Sequence, residues 1–426
     1  MSKFQIIILA AFGACIIIAV AVFALYRGAN ATNATVTIWG SISSRDMGLL
    51  LSNPIFNPNQ TVSVNYVEKS ADTLEAEFTE ALAQGTGPDL IITTTDKFWK
   101  NRPKLMPIPY TNISERNFKT TFIEEGELFL DPTGMYALPL SLDPLVLYYN
   151  RDLLSAVGQA KPLSYWDEIY AAALKLSKKD AAGNITQSVM ALGEARNIPN
   201  AKDIISLLLL QAGTPVTDFL NSKLRSEIAN NFDLPVSPGE SAFDFYTQFS
   251  NPTKAFYSWN RSLVDAQTNF TSGDSAYYLG FASEYRTLRN KNPNLNFAVA
   301  PVPQSRVSGK VITFGRLMGV AISRSARNPS AALSMATKLI SKDSSLFLSK
   351  TLFLPPARRD LFSERPLETV LSIFYDAALQ SKAWLDPDVS ATGNIFREAI
   401  ESITSGRVRT LEAVNKASRE IDALIK

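Results

Sequence analysis

The acid at position 143 stands where only apolar residues are expected, in the stretch SLDPLVLYYNRDLL that runs from residue 141 to 154. A carboxylate there can accept short, charge-assisted hydrogen bonds from two ligand hydroxyls. The plainer reading is an Asp-Pro turn that caps only itself. Arg316, in FGRLMG, can hold an anion through two parallel hydrogen bonds or pair with Asp143. Asp143 and Glu284 together could act as the acid and base of a glycosidase. With 40 Asp and Glu residues in the chain, though, such a pair is easily found by chance. Trp39-Gly40-Ser41 offers a flat apolar face, a small residue that lets a ligand near the backbone, and a hydroxyl. Thr94-Thr95-Asp96 groups short polar side chains suited to hydroxyl recognition or to capping the helix that follows.

Composition removes whole classes of chemistry. The 426 residues contain no histidine, which excludes histidine catalysis and histidine metal ligation. Cys15 is the only cysteine, so no intramolecular disulfide or cysteine-cluster metal site can form. A hard-cation site built from carboxylates stays open. No EF-hand loop, Walker A loop, GxSxG elbow or GxGxxG fingerprint occurs, and no cofactor is expected. Net charge is +2, and residues 1–27 carry Lys3 and Arg27 without an acid, leaving 40 basic and 40 acidic residues beyond them. A nucleic-acid binder would carry a basic surplus, so that partner is excluded.

The elements that must position these residues alternate. TVTIWG, QTVSVNYVEKS and GPDLIITTTD read as strands, separated by helices that begin near Ser44 and Ala71. Such an order implies a parallel sheet with helices on both faces, and in open α/β sheets a ligand sits beyond the carboxyl ends of the strands. That rule nominates Trp39 to Ser41 and Thr94 to Asp96. The apolar run from Ile204 to Leu210 is too short to span a membrane and predicts a buried helix. Ile6 to Leu25 is twenty uncharged residues, long enough to cross a bilayer. It reads as a retained anchor over residues 1–27, followed by a polar linker over 28–35. The alternatives are a signal peptide cleaved near Ala29-Asn30-Ala31 and a lipoprotein modified at Cys15. All three place the rest of the chain outside the cytoplasm.

Five stretches in order resemble the family 1 extracellular solute-binding proteins, the group that includes the maltose-binding proteins of ABC importers. They are VTIWG (36–40), ALAQGTGPDLIITTTD (81–96), YALPLSLDPLVLYYNRDLLSAVG (136–158) with the YWDEI that follows, NFTSGDSAYYLGFASEY (269–285) with FAVAPVPQ after it, and GNIFREAIESITSGRVRTLEAVNKASREI near the end. The resemblance implies a two-lobed, periplasmic-binding-protein-like (type II) α/β fold with a ligand cleft between the lobes, and the apolar run from Ile6 to Leu25 places one transmembrane helix before it. Residues 36–142 plus about 301–354 would form one lobe, and 143–300 plus about 355–426 the other. It also implies that Asp143 faces the cleft at a crossover between lobes, that Gly280, Phe281, Ser283 and Glu284 form a cleft loop, and that Arg316 lies near another crossover. Trp259 would line the cleft or stack in the core, Trp384 and Asn394 are weaker nominees, and Tyr148 and Tyr149 read mainly as scaffold. The tryptophan common in the family's cleft loop is absent, with Phe281 and Tyr285 nearby instead. The implied function is a membrane-tethered, monomeric protein that captures a small solute, a carbohydrate above all, and passes it to an ABC importer permease without catalysis. A sensor or adhesion module of the same fold and a polysaccharide-acting enzyme are the alternatives.

Overall fold

Three β-branched runs near the start of the chain pair as the alternation predicts. In the computed structural model, which describes residues 34–425 apart from 55, 57–61 and 307–308, strand Ala34–Gly40 lies parallel to Val62–Glu68 on one side and to Leu90–Thr94 on the other. The intervening helices are Ser44–Leu51 and Leu74–Ala83. The first is capped by the Ser43 hydroxyl, which accepts from the Asp46 amide. The second buries Leu74, Phe78 and Ala81 against the sheet. The expected anchor over residues 1–27 and all but the last two residues of the linker expected over 28–35 lie outside the described residues, and Ala34 and Thr35 already belong to the first strand rather than to a linker. Among the described residues no helix is long and apolar enough to cross a membrane.

The parallel arrangement ends at the fourth strand. Thr313–Ser323 returns from far along the chain and pairs antiparallel with Leu90–Thr94. On its other side it pairs antiparallel with the 13-residue strand Leu138–Asn150. That long strand carries Ser275–Phe281 and Phe297–Ala300, both antiparallel to it, and Ile185–Met190 lies beyond, parallel to Ser275–Phe281. The result is one mixed sheet rather than the parallel sheet expected, because two of its strands are long connections and not links in a βαβ series.

Side chains from this sheet and its helices form two separate hydrophobic cores. The first gathers residues from Val36 to Leu142 and from Leu317 to Leu348. The second gathers Leu145 to Phe314, apart from Leu224, and most of the apolar residues from Leu371 to Ile421. Val302 and Phe314 belong to the second core, so the chain returns to the first at Leu317 rather than near residue 301. Both long strands change cores at matching points. Leu142 is in one and Leu145 in the other, while Phe314 and Leu317 make the reverse change on the neighbouring strand. Asp143 lies opposite Arg316 in the register, and Pro144 opposite Gly315. A third connection passes alongside, where the Pro355 carbonyl accepts from the Leu142 amide and from the Ser141 hydroxyl, both at 3.0 Å.

Asp143 is thus within a continuous strand and not in a turn. The strand is buried almost throughout, with Asp143 and Tyr149 its only partly exposed positions. Burying a Leu or Val side chain contributes about 1.5–3 kcal/mol, so packing alone favours an apolar residue at 143. Asn150 closes the strand and caps helix Arg151–Ala156, its side-chain oxygen accepting from the Asp152 and Leu153 amides. Tyr148 is buried and donates to the Phe281 carbonyl at 2.7 Å, the scaffold role expected of it.

Candidate ligand-binding site

The two strands that change cores carry opposite charges at the point of change. The Arg316 guanidinium does not bond to Asp143, however. Its Nη2 reaches both oxygens of Asp203, at 2.9 and 2.8 Å, and its Nε lies 3.6 Å from Asp96 Oδ2. Asp203 begins the buried helix Ala201–Gln211 of the second core, and Asp96 sits in the first turn of helix Thr95–Asn101 in the first. The guanidinium also covers the Phe281 ring at 4.1 Å, a cation–π contact. Arg316 is therefore engaged by two carboxylates, Asp203 and Asp96, and not by Asp143 as the sequence reading had offered. Burial opposes its charge, but Asp203, Asp96 and Asp143 outweigh that and raise its pKa.

The neighbouring acids differ in how they are satisfied. Burial acts against ionisation of Asp96, yet Arg316, the Thr94 hydroxyl and Lys202 overcome it and hold the carboxyl below its usual range. Its Oδ1 and the Arg316 Nε are buried without a hydrogen-bond partner among the described residues. Asp143 receives the Ser283 amide on Oδ1 at 2.9 Å. Burial pushes its pKa up to about 6, against the pull of Ser283 and Arg316. A carboxylate this poorly compensated retains capacity to accept from a ligand. Lys202, which acts on Asp96, pairs with the fully buried Asp386 at 2.7 Å and lies 5.6 Å from the Trp384 ring.

Glu284 is a different case. Its Oε1 accepts from the Phe281 amide at 2.8 Å and from Asn200 at 2.9 Å, and its Oε2 accepts from Gln267 at 2.7 Å and from the Tyr278 hydroxyl. Four donors fill the carboxylate, which fixes the turn after strand Ser275–Phe281 and removes Glu284 as a partner for Asp143 in glycosidic chemistry. Gly280 is small for the same local reason, since a Cβ there would lie 2.4 Å from Tyr278 Cε1.

The structure brings together Thr94, Thr95, Asp96, Asp143, Phe281, Ser283, Glu284 and Arg316. Within this group Thr95 is buried and uses its hydroxyl to accept from the Leu317 amide. Trp39, Gly40 and Ser41 do lie at a strand end, but among the described residues no hydrogen bond, ion pair or ring contact joins them to the group. Lys69 covers the Trp39 ring at 4.3 Å, and the Gly40 position is closed in by Ile92 and Tyr66. Trp259 is fully buried in the second core and donates to Asn197 Oδ1 at 3.1 Å, so it presents no surface to a cleft. Trp384 is likewise buried and donates to Ser206. Sequence reasoning missed Lys202, Asp203 and Asp386. The available signal was the Lys-Asp pair opening an otherwise apolar helix.

Two α/β cores joined by paired crossing strands, with a charged cluster at the crossing, define a two-lobed binding-protein architecture. The chain belongs to the bacterial extracellular solute-binding protein family, whose model matches residues 55–367. This agrees with the resemblance seen in the sequence. A binding protein of Brucella abortus (strain 2308) is 23% identical over 384 residues, covering 86% of this chain and 87% of its own. A cyclo/maltodextrin-binding protein solved with maltotetraose superposes with a TM-score of 0.74 at 16% identity, over 92% of this chain and 97% of that one. The GacH receptor of Streptomyces glaucescens, solved unliganded and with acarbose, gives a TM-score of 0.71 at 17% identity, over 92% and 98%. At these identities the structural likeness establishes the fold.

Proposed function

We propose that this protein captures a small polyhydroxylated solute, a sugar or oligosaccharide, between its two cores and delivers it to the permease of an ABC importer. The observation that carries the reading is Asp143, a half-buried, poorly compensated acceptor at the point where both crossing strands change cores. A binding residue at that place touches ligand and hinge together, so ligand contact and closure are coupled. Asp96 supplies a second acceptor through its unpartnered Oδ1; Arg316 holds Asp96 and the Ser283 amide holds Asp143. Solved relatives of the same fold hold acarbose or maltotetraose, which supports a saccharide over other solutes. Residues 1–27 hold the protein to the membrane with its two cores on the extracytoplasmic side, and it acts as a monomer.

A thermal-shift screen of neutral sugars, oligosaccharides, amino acids and inorganic anions tests this. At 100 times its dissociation constant a ligand adds about 2.7 kcal/mol of stability, readily seen as a higher melting temperature. A saccharide is expected to produce that shift, and Asp143→Ala should weaken its binding by more than about 1 kcal/mol. A screen in which only amino acids or anions raise the melting temperature would overturn the saccharide reading. Retention of the full-length protein in carbonate-washed membranes tests the tether.

A further inference from the structure

Helix Thr95–Asn101 packs on the first core, Trp99 included, and also reaches groups of the second. Thr95, Phe98 and Asn101 are buried on the side of the first core. Asp96, Trp99 and Lys100 have i, i+3, i+4 spacing and so share another face. Each of the three reaches a group carried by the second core. Asp96 shares the Arg316 guanidinium with Asp203. The Trp99 ring meets Phe219 edge-on, with centroids 5.8 Å apart and planes at 64°. Lys100 Nζ lies 2.8 Å from Asp388 Oδ2. Asp388 caps helix Val389–Thr404, whose Phe396, Ala399 and Ile400 lie in the second core.

The Phe219 contact has a further support. Phe219 belongs to the hairpin of strands Thr217–Leu220 and Lys223–Ser226. Val216 and Ile228, on either side of the hairpin, are buried in the second core, whereas Leu224 within it is buried with the first. The hairpin therefore leaves one core and anchors on the other. Every one of these contacts is made between side chains of the chain itself.

We infer that the face formed by Asp96, Trp99 and Lys100, together with the Phe219 hairpin, is a clasp that holds the two cores closed in the absence of ligand. The inference rests on the hinge motion in the proposed function, but not on the identity of the ligand. Lys100 and Phe219 are both well exposed, so their individual contacts are weak and the clasp is reversible. A clasp of this kind raises the closed population beforehand. The apparent affinity for any ligand that binds the closed form then rises in the same ratio.

Small-angle X-ray scattering of the ligand-free protein tests this with Lys100→Glu, Phe219→Ala and the double variant. Both residues are exposed, and circular dichroism with a melting curve checks that each variant is folded. The wild type is expected to have the smaller radius of gyration, the double variant the larger, and 1 M salt should move the wild type part of the way by screening the Lys100–Asp388 pair. A folded double variant with the wild-type radius overturns the clasp. A saccharide that contracts the double variant to the wild-type radius supports both readings. If that saccharide contracts wild type and double variant from the same extended radius, the clasp fails and the binding reading survives. An expanded double variant in a protein that no saccharide affects leaves the clasp standing and overturns the saccharide.

Discussion

Replacing Asp143 by Asn should make the ligand-free protein more stable at neutral pH. The wild-type carboxyl has its pKa pushed from 3.8 up to about 6 by burial. A raised folded-state value for an acid means that the folded protein binds the proton more tightly than the unfolded chain does. The ionised form therefore costs stability. The cost is absent below about pH 4, grows as the pH rises toward 6 and is complete above it. About two pH units at 1.36 kcal/mol each set an upper limit near 3 kcal/mol. Partial solvent contact at Asp143 lowers the expected gain to about 1–2 kcal/mol. Asn keeps the oxygen that accepts the Ser283 amide and loses only the charge. Urea denaturation of both proteins at pH 4 and pH 7.5 measures the difference directly. Asp143→Asn should have the higher midpoint at pH 7.5 and no advantage at pH 4, while binding its saccharide more weakly. A midpoint below wild type at pH 7.5, or a difference that does not change with pH, would refute the argument.

Arg316→Ala removes the partner of the buried Asp203 carboxylate. Breaking a buried pair costs about 3–5 kcal/mol, and since a third of the arginine side chain is exposed, about 2–3 kcal/mol is expected in urea. A loss under about 1 kcal/mol would show that Lys202 or solvent takes over. Gly280→Ala places a methyl against the Tyr278 ring and should cost about 1–3 kcal/mol of stability. A neutral effect in the melting curve would mean that the turn after Phe281 relaxes. Trp259→Phe should lose about 1 kcal/mol of stability with the Asn197 hydrogen bond, and leave saccharide affinity unchanged in calorimetry. Weaker binding at unchanged stability would return Trp259 to the site.

The elements that were legible were those specified locally. Alternating β-branched runs and glycine-ended helices predict the three parallel strands before residue 95, and the Ile204–Leu210 run predicts a buried helix, which is observed as Ala201–Gln211. The direction of Thr313–Ser323 was not legible, because a strand's partner is chosen by tertiary packing and not by its own pattern. At the site, Asp143 stood out because an acid interrupts an apolar strand. Its relation to Arg316 depends on a register between residues 173 positions apart, and the diversion of Arg316 to Asp203 and Asp96 depends on the helices that flank that register. Glu284 and Trp259 misled for a related reason. Both residue types suit ligand recognition, and only the three-dimensional neighbours show that one carboxylate is saturated and one indole enclosed.

The two crossing strands are hydrogen-bonded to each other through the place where they pass from one core to the other. A two-stranded ribbon clamped at both ends is stiff against sliding, since a one-residue slip would turn every side chain to the wrong face. It is soft to twist and bend. The softest point is marked by chemistry: Pro144 has no amide hydrogen to contribute to the ladder, and its register partner is Gly315. The ribbon thus acts as a torsion spring with one stitch missing, and Asp143 sits next to the missing stitch. In the binding role proposed above, a ligand held by Asp143 bears on the ribbon directly beside this proline.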